Sequence, residues 1–286
     1  MNPISRRSLL ASAAVATGGL SLSGLAACSG TPSIARPTAS PSGTIAGQLD
    51  EVMKVIANGN DQFGVWIEDQ RTGGSYSFNP AYSSQSASMA KPMIVSMALR
   101  KAAADGGDLS AENSELARKA ITKSDNDAAD ALWAYAGGRP AYDALATDLG
   151  LTATHSDPAK DFWSWTWTTP KDQVLLAKTL AKGGSKALTD AQGRLVWDLM
   201  GQVQDDQAWG VGQPRSGTVA AHLKNGWVQF QSTDKLWAVN SMGQVAGEGR
   251  DYFGCVMTRV PDFATGREIT SEVGKWAFSI LGSGPL

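Results

Sequence analysis

The chain has 286 residues, 42% hydrophobic and 18% charged, which suffices for one large domain and excludes a disordered chain or a many-span membrane protein. Its net charge of −2 offers no basic excess for phosphates, so no nucleic-acid partner is expected. Two His (His155, His222) and two Cys (Cys28, Cys255) lie far apart and provide no close ligand pair, so no His/Cys metal site is expected.

Residues 1–27 read as an address. Ser5-Arg6-Arg7-Ser8-Leu9-Leu10 looks like a twin-arginine export signal, followed by an uncharged run of small residues. Leu25-Ala26-Ala27-Cys28 resembles a bacterial lipobox, which would make Cys28 a lipidated mature N-terminus. An uncleaved transmembrane anchor is the other reading, and the glycines and serines of this run make it a poor span. Residues 28–44 then form a Ser/Thr/Pro-rich tether, and 45–286 one folded domain. Export, lipid and tether together predict a protein held at the outer face of the cytoplasmic membrane, in the cell envelope; a monomer is expected.

A helix is predicted over Ile45–Ala57, then strands over Gly64–Asp69 and Ser75–Phe78 joined by Thr72-Gly73-Gly74 as a hairpin turn. Helices follow over Met89–Ala104, Asn113–Thr122, Asp127–Ala136, Lys171–Lys182 and Asp190–Met200, with Gly pairs (Gly106-Gly107, Gly137-Gly138, Gly183-Gly184) as terminators. Strands return at Val219–Leu223, Trp227–Gln231, Leu236–Met242 and Tyr252–Val260, before a last helix near Ile269–Leu281. Cys255 falls in a buried strand and reads as a small core residue. This order predicts an α/β (α+β) fold of two lobes: an antiparallel sheet flanked by the terminal helices, an all-helical lobe, and a cleft between them.

Three short motifs carry the chemistry. Ser88 and Lys91 stand at i and i+3 on one helix face, where a desolvated amine can take the hydroxyl proton. Pro92 cannot donate to the Ser88 carbonyl, so the first turn must be irregular. Alone the pair could be an ordinary capped helix with a solvated lysine, and a second such pair occurs at Ser232-Thr233-Asp234-Lys235. Ser124-Asp125-Asn126 could simply cap a helix, and Lys224-Asn225-Gly226 could be a turn before a strand. The ordered set, S-x-x-K, then S-D-N, then K-x-G, is far more specific.

From about Thr44 onward the chain resembles the serine β-lactamase and penicillin-binding protein family, closest to class A. The hairpin Gly64–Phe78, the run Ala120–Ala129 and the helix start Thr168-Thr169-Pro170 all sit where the class A pattern has counterparts. The resemblance implies Ser88 as nucleophile, Lys91 as general base and Ser124 as proton donor to the leaving nitrogen. It implies Asn126 as a holder of the substrate amide and Lys224, with Asn225, as a partner for the substrate carboxylate. Gly226 would let substrate approach the strand edge, and the backbone N–H groups of Ser88 and Trp227 would form an oxyanion hole. The family needs no cofactor.

The sequence departs from class A where the acyl-enzyme is hydrolysed. The interval from Gly150 to Pro170 is short, and no Glu occurs between Glu115 and Glu248, so the water-activating loop glutamate is absent in its family form. Asp157 and Asp161 are the only acids in that interval. Asn225 replaces the usual Thr or Ser, and Trp227 puts a large ring beside the oxyanion position. Of ten Trp, five (Trp66, Trp133, Trp197, Trp237, Trp276) read as core. Trp163, Trp165 and Trp167 read as either packing or a substrate wall, and Trp209 and Trp227 bracket the approach to the K-x-G strand.

Three functions fit. One is a β-lactamase-like hydrolase that forms an acyl-enzyme on Ser88 and releases it, with slow deacylation. Another is a D-Ala-D-Ala-type peptidase or transpeptidase acting on peptidoglycan stem peptides. The third is a non-catalytic envelope lipoprotein that uses the same cleft for binding.

Overall fold

Helix α1 (Ile45–Ala57) begins where Thr44 Oγ1 accepts the Gly47 N–H and ends on Asn58 in the left-handed region. The structure, a computed structural model, describes residues 34–183, 185–230 and 233–286. The export signal, Cys28, Gly184 and Ser232 therefore lie outside the described residues. Of the tether, residues 34–44 are described: Ile34 joins the apolar cluster under α1, and Arg36 pairs with Glu268.

Strands β1 (Phe63–Asp69) and β2 (Ser75–Phe78) form the predicted hairpin. With β5 (Val219–Gln229), β6 (Trp237–Gly247) and β7 (Arg250–Val260) they make a five-stranded antiparallel sheet in the order β2-β1-β7-β6-β5. Strand alternation sorts the two cores. In β7, Tyr252, Val256 and Val260 face α1 and α8 (Phe263–Ser283), while Phe253, Cys255 and Met257 face the helical lobe. Cys255 is buried in the middle strand, as expected.

The helical lobe holds α2 (Lys91–Ala104), α3 (Ala111–Thr122), α4 (Asn126–Ala136), α5 (Gly138–Asp148), α6 (Pro170–Lys182) and α7 (Asp190–Met200). A two-stranded ribbon of β3 (Ser84–Gln85) and β4 (Trp167–Thr168) ties it to the segment before Ser88. Among the described residues, no helix is long and apolar enough to cross a membrane.

Four expectations change. Helix α5 was not anticipated: Gly137, at φ 101°, ends α4, but Gly138 begins the next helix instead of sharing in the stop. The two strands predicted around Lys224 are one, since the β5–β6 register runs unbroken from Val219 opposite Gly247 to Gln229 opposite Trp237. Lys224-Asn225-Gly226 is thus mid-strand, not a turn. Helix α8 starts at Phe263 rather than near Ile269, because Asp262 Oδ1 accepts the Thr265 N–H and caps it. Helix α2 starts at Lys91, not Met89; Ala87–Ala90 is a 3-10 turn in which the Lys91 N–H donates to the Ser88 carbonyl that Pro92 cannot reach.

Candidate active site

The 3-10 turn carries Ser88 at the mouth of a cavity of about 330 Å³. Ser124, Asn126 and Asp130 border it on one side, Phe162, Trp163 and Ser164 on another, and Trp227 and Val228 of β5 on the third. The Ser88 hydroxyl makes no hydrogen bond among the described residues. Ala87, just before it, has φ 49°, and Ser124 has φ 57°. Left-handed backbone at non-glycine residues costs about 1–3 kcal/mol each and collects at functional sites.

Lys91, one turn after Ser88, is fully buried. Its Nζ donates to Ser124 O at 2.5 Å, Asn126 Oδ1 at 2.8 Å and Ser124 Oγ at 3.2 Å, and lies 4.8 Å over the Trp163 ring. Burial drives the Lys91 ammonium down to about 7, against the pull of the Asp125 and Asp130 carboxylates. An amine near that value exists in both protonation states at neutral pH.

Leu223 lies in the core under α1 and α8, so strand alternation sends Lys224 to the opposite face, toward the helical lobe. There Lys224 Nζ donates to Ser124 Oγ at 2.9 Å and to Asn225 O at 2.8 Å. Complete burial, with the charge of Lys91 nearby, holds Lys224 well below its ordinary value. Two lysines thus donate to both lone pairs of one hydroxyl, leaving the Ser124 O–H to point elsewhere as a donor.

Not every residue of the motifs reaches the cleft. Asn225 shares the face of Leu223, is 1% exposed, and spends its amide N–H groups on Gln207 O at 2.7 Å and Trp209 O at 3.1 Å. This corrects the expectation that it meets substrate: it fastens the 205–212 segment to β5. Gly226 also serves a different neighbour. A Cβ there would lie 2.6 Å from Ser86 O and 2.8 Å from both Ser88 N and Met89 N. Its missing side chain lets the turn that carries Ser88 press against the strand. Trp227 borders the cavity, and its ring packs on Phe263 at 5.2 Å and Trp209 at 5.9 Å, on the α8 side.

The aromatic run divides. Trp163 is a cleft wall, whereas Trp165 stacks edge-on against Phe230 and Trp167 donates to Asp157 Oδ2 at 3.2 Å. Trp133 and Trp197 are buried as expected, while Trp66, Trp237 and Trp276 are half-buried against the cores. Asp157 and Asp161 both miss the cavity: the first is tied to the Ala159 N–H and Trp167, and the second borders a separate hollow beside Gly137 and Arg139. Asp130 and Phe162 are cleft residues that the motifs did not flag. Asp130 was within reach, since it follows Asn126 by four residues on the same helix face. His222 stacks on Trp197 and His155 bridges to Trp167, both outside the cleft. No group of three or more metal-ligating side chains occurs among the described residues.

Solved structures share this architecture. A class A β-lactamase from Bacteroides cellulosilyticus superposes with a TM-score of 0.70 at 16% identity, over 85% of this chain and all (100%) of its own. A class A β-lactamase from Mycobacterium abscessus gives 0.67 at 18% identity, over 84% of this chain and 100% of that one. A β-lactamase from Xanthomonas campestris pv. campestris gives 0.68 at 18% identity, over 84% and 99%. Identities this low speak for the fold alone. No curated protein matches the sequence significantly. A model of the β-lactamase enzyme family matches residues 46–113 and 109–281, nearly the whole folded unit with Ser88, Ser124 and Lys224 inside it, and by that match the chain belongs to the β-lactamase enzyme family.

Proposed function

We propose that the protein is a serine hydrolase that opens β-lactams, or related cell-wall amides, through an acyl-enzyme on Ser88. The observation that carries this reading is the convergence of Lys91 and Lys224 on Ser124 Oγ beside an open Ser88 hydroxyl. Neutral Lys91 accepts the Ser88 proton as Oγ adds to the carbonyl carbon. The oxyanion meets the N–H groups of Ser88 and Trp227, which the close approach of Gly226 to the turn brings near each other. Ser124 then delivers its proton to the departing ring nitrogen, and Lys91 replenishes it across the 3.2 Å contact. Asn126, exposed at the rim, takes the substrate side-chain amide, and Lys224 adds positive charge for its carboxylate. Exported through its Arg6-Arg7 signal, the domain would work as a monomer at the outer face of the cytoplasmic membrane, held there by a lipidated Cys28.

Intact-mass analysis after incubation with benzylpenicillin tests the reading. An adduct on wild type that Ser88→Ala lacks, together with hydrolysis of a chromogenic cephalosporin, is the expected result. A permanent adduct with D-Ala release from a model stem peptide would favour the peptidase reading, which the lack of a Glu between Glu115 and Glu248 supports. No adduct at all would leave a binding lipoprotein.

A further inference from the structure

Among the described residues, Asp130 is the one carboxylate that borders the cavity holding Ser88. Its Oδ1 accepts the Trp163 indole N–H at 2.6 Å, and Oδ2 accepts no hydrogen bond among the described residues. One oxygen therefore fixes the side chain while the other is free for a water molecule. The side chain is exposed, so water reaches it.

Its holder is itself anchored to the segment that leads into Ser88. Trp163 is 7% exposed and lies against the Lys91 ammonium. Trp163 O accepts the Thr166 hydroxyl at 2.8 Å, and Thr166 Oγ1 lies 2.6 Å from Ser86 Oγ, two residues before Ser88. The short segment before α6 thus clamps Asp130 relative to the turn that would carry an acyl group. The other nearby acids are committed elsewhere: Asp125 Oδ1 caps α4 through the Ala128 N–H, and Asp157 and Asp161 point away from the cleft.

Resting on the acyl-enzyme reading above, we infer that Asp130, on helix α4, is the catalytic base that activates water against the Ser88 ester, in place of a loop glutamate. A water bound to Oδ2 gives one proton to the carboxylate while its oxygen bonds to the acyl carbon. The tetrahedral intermediate then breaks its bond to Ser88 Oγ, the proton held by Asp130 returns to that oxygen, and the product leaves as a carboxylic acid that ionises in solvent. Water is the only co-reactant. Trp163 is a positioning residue, acting through Asp130.

Time-resolved intact mass with benzylpenicillin on wild type, Asp130→Asn, Asp130→Glu and Trp163→Phe tests the inference. Asn keeps the acceptor for Trp163 and removes only the base. Its acylation rate should stay within about threefold of wild type, while its adduct lasts at least about 100-fold longer. Asp130→Glu should restore part of the turnover, and Trp163→Phe should prolong the adduct about 10-fold. Removing the Asp130 charge should also shift the acylation pH profile to lower pH, since that charge pulls Lys91 upward. An Asp130→Asn protein that turns over like wild type, or fails to acylate, would overturn the assignment. So would a wild-type adduct as persistent as the mutant's, although acylation at Ser88 would then stand. No adduct on any protein would instead remove the acyl-enzyme reading itself.

Discussion

Lys224 Nζ lies 2.9 Å from Ser124 Oγ across 100 residues of chain, and it is an amine with almost no exposure to water, held well below its ordinary value by that burial. Burying an ammonium costs several kcal/mol unless its partners repay it. The partners here are a hydroxyl and a carbonyl, with another lysine beside them, so the position is poor for stability and suited to chemistry. Lys224→Met should lower the acylation rate by about 100-fold while leaving the melting temperature equal or higher. Stopped-flow acylation together with thermal unfolding separates the two effects, and a large drop in melting temperature would show that Lys224 is a structural support.

Lys91 fixes a pH dependence. With its ammonium driven to about 7 by burial, the neutral amine dominates above that value. Acylation should rise about tenfold per unit of pH below 7 and level off above it, measured as the initial burst with a chromogenic cephalosporin. A flat profile between pH 5 and 9 would remove Lys91 as the base.

Gly226 admits the turn that carries Ser88, and a methyl there would collide with three backbone atoms that cannot swing aside. Gly226→Ala should cost about 1–3 kcal/mol by overpacking and more than 100-fold in acylation. Gly254→Ala is the control in the same sheet, because its nearest neighbour would be 3.8 Å away. Urea unfolding and burst kinetics on both variants should separate them clearly.

Asp69 makes the far end of the sheet sensitive to acid. Burial raises its carboxyl, but bonds from the Arg71 guanidinium and N–H and from the Leu286 N–H outweigh this and hold it below its ordinary 3.8. A depressed carboxyl stabilises the fold above its unfolded value and loses that contribution as pH falls through its folded value. Stability should therefore fall steeply below about pH 4 in wild type, whereas Asp69→Asn should be weaker by about 3 kcal/mol at pH 7 and flatter in acid, as read by chemical denaturation at each pH.

Much of this was legible in the sequence because local rules and tertiary context agree. Thr44 and the capping box of Thr189 with Gln192 bound their helices where expected, and Pro92 dictated the broken first turn after Ser88. What went astray did so where context overrules local pattern. Gly137-Gly138 reads as a stop, yet one glycine ends α4 and the other opens α5. Lys224-Asn225-Gly226 looks like a turn because its residues are polar, but they are polar because two sides of one strand face different partners. Applied to Leu223, alternation would have sent Asn225 into the core side and spared the error. Asp130 was legible as well, since it stands four residues after Asn126 on the same face of α4 and borders the cavity.

Cys255 occupies the central strand of the sheet, 1% exposed, with burial pushing its thiol well above the ordinary value. A protonated thiol on the face that packs against the helical lobe cannot meet an alkylating reagent until that lobe lifts from the sheet. The folded unit therefore contains its own clock. The rate at which an iodoacetamide reagent marks Cys255 measures how often the helical lobe lifts from the sheet, and a substrate that lodges on Ser88 should slow that rate in proportion to how firmly it holds the two lobes together.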